Sequence, residues 1–171
     1  MPSCTPKRRT PIPVPRGSFY SGAMRLALHQ PDQAGNVGAM LRLAACLGVP
    51  VDIIEPCGFP WSDRALKRAG MDYAEIAAVT RHPDWEAFAQ GLTGRLVLLT
   101  TSGEARLDEA AFGHEDVLLL GAESAGVPLH VHRRADLRLR IPQAPGTRSL
   151  NLAVAAGIAL AEALRQTRGW P

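Results

Sequence analysis

From Met24 onward the chain switches repeatedly between four- or five-residue apolar blocks and stretches in which apolar residues return every third or fourth position. Blocks that short suit strands buried on both faces, and the 3.6-residue period suits helices lying against them. Arg25 to His29 is the first such block, interrupted after it by Pro31 and Gly35, and Val51 to Ile54 is the second, closed by Pro56 and Gly58. Between them Met40, Leu43, Ala44 and Leu47 fall on one helical face that stops at Gly48, which makes a βαβ unit. The cycle continues with a helix predicted over 63–69, strands over 76–80 and 96–100 with a helix over 84–90 between them, strands over 117–120 and 137–141, and a last helix over about 150–166. Such alternation predicts an α/β fold: a mostly parallel sheet with helices on both faces.

The basic charge is confined to one end. Of 19 Lys and Arg residues, Lys7, Arg8, Arg9 and Arg16 lie in residues 1–23 with no acid, so 15 bases meet 16 acids over the rest. The same stretch holds Pro2, Pro6, Pro11, Pro13 and Pro15, which deny it an apolar face and backbone donors. Residues 1–23 are therefore predicted to be a basic, extended arm, and residues 24–171 the single folded domain. No apolar run follows the basic residues as a secretory signal would require, and none elsewhere approaches the ~18 residues of a membrane span.

Cys4, Cys46 and Cys57 form no C-x-x-C pair, and their odd number argues against a disulfide framework, so a reducing, cytoplasmic setting fits. Cys46 falls in the apolar pattern of a helix and is predicted to be core; Cys57 lies in a Pro-Gly loop. His130 and His132 lack a nearby third ligand, and no metal site is expected. The dinucleotide fingerprint and the P-loop are both missing from the sequence.

Ligands of parallel sheets bind beyond the carboxyl ends of the strands. Three loops there carry unusual chemistry: Thr100–Gly103, Gly121–Gly126 and Ile141–Asn151. Gly121 and Gly126 allow close backbone approach; Pro142 and Pro145 stiffen the last loop, where Ser149 or Asn151 could simply cap the final helix.

Asn36-Val37-Gly38 with Arg42, Leu120-Gly121-Ala122-Glu123-Ser124-Ala125-Gly126-Val127-Pro128, and Ile141-Pro142 with Ser149-Leu150-Asn151 resemble the three motifs of the SPOUT-superfamily RNA ribose 2′-O-methyltransferases. Ile54 to Trp61 and Arg68-Ala69-Gly70-Met71-Asp72-Tyr73 are similar to the small branch that methylates the tRNA wobble nucleotide, the TrmL or YibK type. The resemblance spans Met24 to Gln166. It implies a sheet whose C-terminal part is threaded into a deep trefoil knot, S-adenosylmethionine held in the knot loops, and a homodimer with sites at the subunit interface. It further implies that Leu99, Thr100, Gly121, Glu123, Ile141, Ser149 and Leu150 surround the methyl donor. Arg42, Asn36, Ser149 and Asn151 would serve catalysis on the acceptor, nucleotide 34 (cytidine or uridine) in the tRNA anticodon stem-loop.

Ala161 departs from the pattern, standing where that branch usually carries a tyrosine before Glu-Ala. Methylation of another tRNA or ribosomal RNA site, and RNA binding without turnover, are the alternative readings.

Overall fold

The computed structural model describes residues 23–61 and 77–171. All but residue 23 of the arm expected over 1–23, and the helix expected over 63–69, lie outside them. In order, the described elements are β1 (Arg25–His29), α1 (Ala34–Leu47), β2 (Val51–Ile54), β3 (Val79–His82), α2 (Trp85–Gln90) and β4 (Leu96–Leu99). There follow β5 (Ala105–Arg106), a 3-10 turn (Leu107–Glu109), β6 (Val117–Leu120), α3 (Leu129–Arg134), β7 (Leu137–Arg140) and α4 (Leu152–Thr167).

The seven strands form one sheet in the order β3-β2-β1-β6-β4-β7-β5, with every neighbouring pair parallel. Alternation along each strand sorts the apolar blocks onto two faces. Leu26, Leu28, Val51, Ile53, Val97, Leu118 and Leu120 share one core with Met40 and Ala44 of α1 and with Ala156, Ala159, Leu160 and Ala163 of α4. Ala27, Ile54, Leu96, Leu98, Val117 and Leu119 turn the other way, toward Trp85 and Phe88 of α2 and Val131 of α3. Small residues let the two long helices approach: a Cβ at Gly157 of α4 would lie 3.7 Å from Leu43 Cδ2 of α1.

Local stops and starts follow the sequence signals. Gly48 ends α1 at φ 66°, and the next amide, Val49 N–H, donates to Ala44 O at 2.9 Å. Asp84 caps α2 by accepting from Ala87 N–H at 2.7 Å. Between the strands on that side, buried Asp52 of β2 bonds both Arg25 Nη2 of β1, at 2.6 Å, and His82 Nε2 of β3, at 2.7 Å. The cluster joins three adjacent strands, and removing one partner would strand a buried charge.

Three expectations change. Cys46 is exposed: it follows buried Ala44 by two positions, which turns it off the core face of α1. The strand expected over 76–80 is β3 at Val79–His82, shifted because an edge strand tolerates Thr80 and Arg81 facing outward, both exposed. The last helix begins at Leu152, since Asn151 is its cap.

One contact ties α4 to the segment between β5 and β6. Gln166 Nε2 donates to Ala110 O at 2.8 Å and to Glu162 Oε1 at 2.7 Å, while its Oε1 accepts from Phe112 N–H at 3.0 Å. Arg165 grips the same Glu162 carboxylate through two bonds, which, with the Gln166 bond, hold its pKa down to about 2. A carboxylate depressed on folding adds stability that is present above its unfolded value near 4.5 and is lost as pH falls toward about 2. The urea midpoint should therefore decline across that interval, and Glu162→Gln should make the decline shallower; an unchanged slope counts against this contact.

Candidate functional site

The chain leaves β1 toward β2 and β3 on one side and returns to build β4 to β7 on the other, so the connections reverse beside β1 and β6. In open parallel sheets that reversal opens a crevice at the carboxyl ends of the strands. The three loops singled out above meet in this region, after β4, β6 and β7.

Close backbone packing joins them. Thr100 N–H donates to Leu139 O at 2.9 Å, extending the β4–β7 ladder by one bond. Gly103 then passes over β7 so closely that a Cβ would lie 2.3 Å from Leu139 C. Arg140 Nη1 holds this passage by donating to the carbonyls of Gly103 at 2.7 Å and Glu104 at 2.8 Å. In the loop after β6, Ala122 and Gly126 exchange two backbone bonds of 3.0 and 2.8 Å, which folds the loop back so that Gly121 lies on Gly126. A Cβ at Gly121 would sit 2.3 Å from Gly126 C.

The loops enclose a cavity of about 960 Å³. Leu99, Thr100, Gly121, Glu123, Ile141, Ser149 and Leu150, the seven residues predicted for the donor, all line it. Its walls are Leu98, Leu120, Leu139 and Leu152, and Arg106 and His132 add polar groups that the sequence reading did not assign to this site. Apolar walls with main-chain polar groups at the edges suit a largely flat ligand with hydrogen-bonding rims, and the volume is that of an ordinary small-molecule site. An adenosine-bearing donor fits this description.

Beside the cavity, residues far apart in sequence converge. Asn151 uses its Oδ1 to cap α4, accepting from Ala153 N–H at 3.0 Å and Val154 N–H at 3.3 Å, and its Nδ2 to donate to Asn36 Oδ1 at 2.9 Å. Asn36 Nδ2 in turn donates to Glu123 Oε2. Capping and a site role are thus compatible in Asn151. Arg42 is exposed on α1 and does not line the cavity of its own chain. Six residues beyond Asn36, it points about 120° away from it around the helix axis.

Asp32, which no motif flagged, holds the loop after β6 from below. Its Oδ1 accepts from Glu123 N–H at 3.1 Å and its Oδ2 from Ser124 N–H at 3.0 Å. Hydrogen bonding by Ser124, foremost, keeps its carboxyl below the usual range. Cys57 stays protonated at neutral pH, its thiol pushed up to about 11 chiefly by burial. Among the described residues no group of three His, Cys, Asp or Glu is placed to hold a metal ion, and no helix is long and apolar enough to cross a membrane.

The model of the SpoU rRNA Methylase family matches residues 23–161. A tRNA (cytidine(34)-2′-O)-methyltransferase of Beijerinckia indica subsp. indica is 56% identical over 144 residues, covering 82% of this chain and 90% of its own. A solved structure described as "Structural insights into the 2-OH methylation of C/U34 on tRNA" superposes with a TM-score of 0.79 at 43% identity, covering 85% of this chain and 96% of the other. An AdoMet-bound rRNA methyltransferase from Sinorhizobium meliloti superposes with a TM-score of 0.75 at 32% identity, over 84% of this chain and 56% of its own. With the match running from the start of the sheet into the last helix, the chain belongs to the SpoU rRNA methylase family.

Proposed function

We propose that the protein transfers a methyl group from S-adenosylmethionine to the ribose 2′-hydroxyl of nucleotide 34, cytidine or uridine, in tRNA. The observation that carries the reading is a cavity lined by all seven expected donor residues beside the Asn36–Glu123–Asn151 cluster, in a chain 56% identical to a protein named for that reaction.

The donor supplies a methyl on a sulfonium, already an activated leaving group, so the transfer calls for no metal. What the chain contributes is alignment. Leu99, Gly121, Ile141 and Leu150 hold the donor through main chain and apolar walls, with Thr100 and Ser149 at the polar edges. Glu123 fixes Asn36, and Asn36 and Asn151 together present amide groups to the acceptor ribose. Arg42 clamps the nucleotide's phosphate and stabilises the charge that develops on the 2′-oxygen. A guanidinium stays protonated far above neutral pH, so the hydroxyl proton leaves to phosphate or water, not to Arg42.

The working unit we propose is a homodimer in which Arg42 of one protomer serves the cavity of the other. Its absence from its own chain's cavity supports this, as do Val154 and Ile158, one turn apart on α4 and exposed by 50% and 41%. We also propose a trefoil knot. In its support, β7 lies between β4 and β5 although it follows both in sequence, and the Gly103 passage lies across it. We further propose that Lys7, Arg8, Arg9 and Arg16 of residues 1–23 add weak phosphate contact to the work of 24–171, and that the protein acts on tRNA in the cytoplasm.

Mapping ribose methylation in total RNA from a strain lacking the gene tests the reading. Loss at position 34 of particular tRNAs, restored by the purified protein with S-adenosylmethionine, is expected; loss at a different RNA position overturns the substrate assignment. No loss at all, with no donor binding, favours RNA binding without turnover.

A further inference from the structure

We infer that Asp32 is a positioning residue for the methyl transfer, tying the donor loop after β6 to the Glu55–Trp61 loop after β2 so that the second loop sets the shape of the first. The inference rests on the activity proposed above.

Both oxygens of Asp32 are committed, one to Glu123 N–H and one to Ser124 N–H, at 3.1 and 3.0 Å. Those two amides belong to the turn that walls the cavity, and Glu123 is also the residue whose carboxylate receives Asn36. Asp32 therefore holds the backbone of a residue that both lines the donor cavity and bonds Asn36 of the acceptor cluster. A charged acceptor is the stronger choice here, since bonds to an ionised oxygen are worth roughly twice neutral ones.

On its opposite side Asp32 is backed by Gly58. A Cβ at Gly58 would lie 2.9 Å from both Cα and Cβ of Asp32, and Gly58 N–H donates to Pro31 O at 3.0 Å. Glycine is the residue that leaves Asp32 where its carboxylate reaches the donor loop. The loops after β1, β2 and β6 also share a shallow second recess of about 400 Å³, lined by Gln30, Asp32, Cys57, Gly58 and Ser124 among others. Movement of Gly58 would thus pass through Asp32 to Glu123, while the strands that wall the cavity stay in place.

Asp32→Asn preserves the shape but offers one acceptor to two N–H groups and turns an NH₂ against the second. Binding of S-adenosylhomocysteine, by calorimetry on the full chain, should weaken about tenfold. The KM for S-adenosylmethionine should rise in step while the KM for tRNA stays within about twofold. Amide exchange at Glu123 and Ser124 should accelerate while that of β6 is unchanged. Gly58→Ala should weaken the donor in the same sense, and the double variant should lose little beyond the worse single, because both break one contact.

Donor affinity equal to wild type in Asp32→Asn overturns the inference, as do losses that multiply in the double variant. Loss of β6 protection in Asp32→Asn overturns it too, by making Asp32 a support of the whole fold. Should the wild-type chain bind the donor yet fail to methylate position 34, the proposed substrate falls, and the calorimetric and exchange results still decide the role of Asp32.

Discussion

Arg42→Ala should leave S-adenosylmethionine binding nearly unchanged and lower methyl transfer by about 100- to 1,000-fold, the range for removing one donor to a developing oxyanion. The separation follows from placement: Arg42 is on α1 and outside its own chain's cavity, whose walls come from β4, β6, β7 and the loops after them. Arg42→Lys should recover little, because an ammonium cannot reproduce a two-pronged contact with phosphate. In the proposed dimer, mixing Arg42→Ala chains with chains blocked in the cavity by Gly121→Trp should restore activity, since one of the two sites then has an open cavity and an intact partner arginine. Full activity of the Arg42→Ala homodimer removes Arg42 from the mechanism. Failure of the mixed dimer, with subunit exchange verified, assigns Arg42 to its own chain's site.

Gly121→Ala should be the most damaging one-carbon change at the cavity. The new Cβ would lie 2.3 Å from Gly126 C and 2.4 Å from Gly126 O, against backbone pinned by the two Ala122–Gly126 bonds. Relieving such overpacking costs about 1–3 kcal/mol. If the loop opens to do so, donor affinity should fall roughly 10- to 100-fold. Gly126→Ala is the informative contrast. Its Cβ would meet nothing within 4 Å, and its cost comes only from φ +67°, about 1 kcal/mol for an L residue there. Calorimetry with S-adenosylhomocysteine should rank Gly121→Ala clearly below Gly126→Ala, and the reverse order contradicts the packing described.

The strands most legible in the sequence were those buried on both faces. Val117–Leu120 was read with its ends correct and Leu96 as a strand start, because an uninterrupted apolar block between polar residues has few other uses; Leu137 was read as a start from the alternation of leucine with Arg138 and Arg140. Legibility failed where burial fades. β5 has two residues and no period to detect, and α3 buries only Val131 among His and Arg side chains. The cavity was legible through its motifs, since glycines and prolines after strands announce close backbone passage. Asp32 was not, because its partners are about 90 residues away and its hydrogen bonds go to backbone amides, whose side chains carry no trace of them. The Arg25–Asp52–His82 cluster was missed for a related reason: charged residues within strands read as solvent-facing until the third strand is laid beside them.

The place of β7 bears on how the chain must be made. It is the last strand in sequence, yet it sits inside the sheet between β4 and β5, and α4 covers the core only after it. A ribosome that stalls or terminates before residue 137 therefore releases a chain with the edges of β4 and β5 unpaired and one apolar face bare of its final helix. Such open edges recruit strands from other chains. Frameshifted or prematurely terminated products should consequently enter inclusion bodies or be degraded, instead of persisting as partly working enzyme, and C-terminal fusion tags should report faithfully on the yield of folded protein.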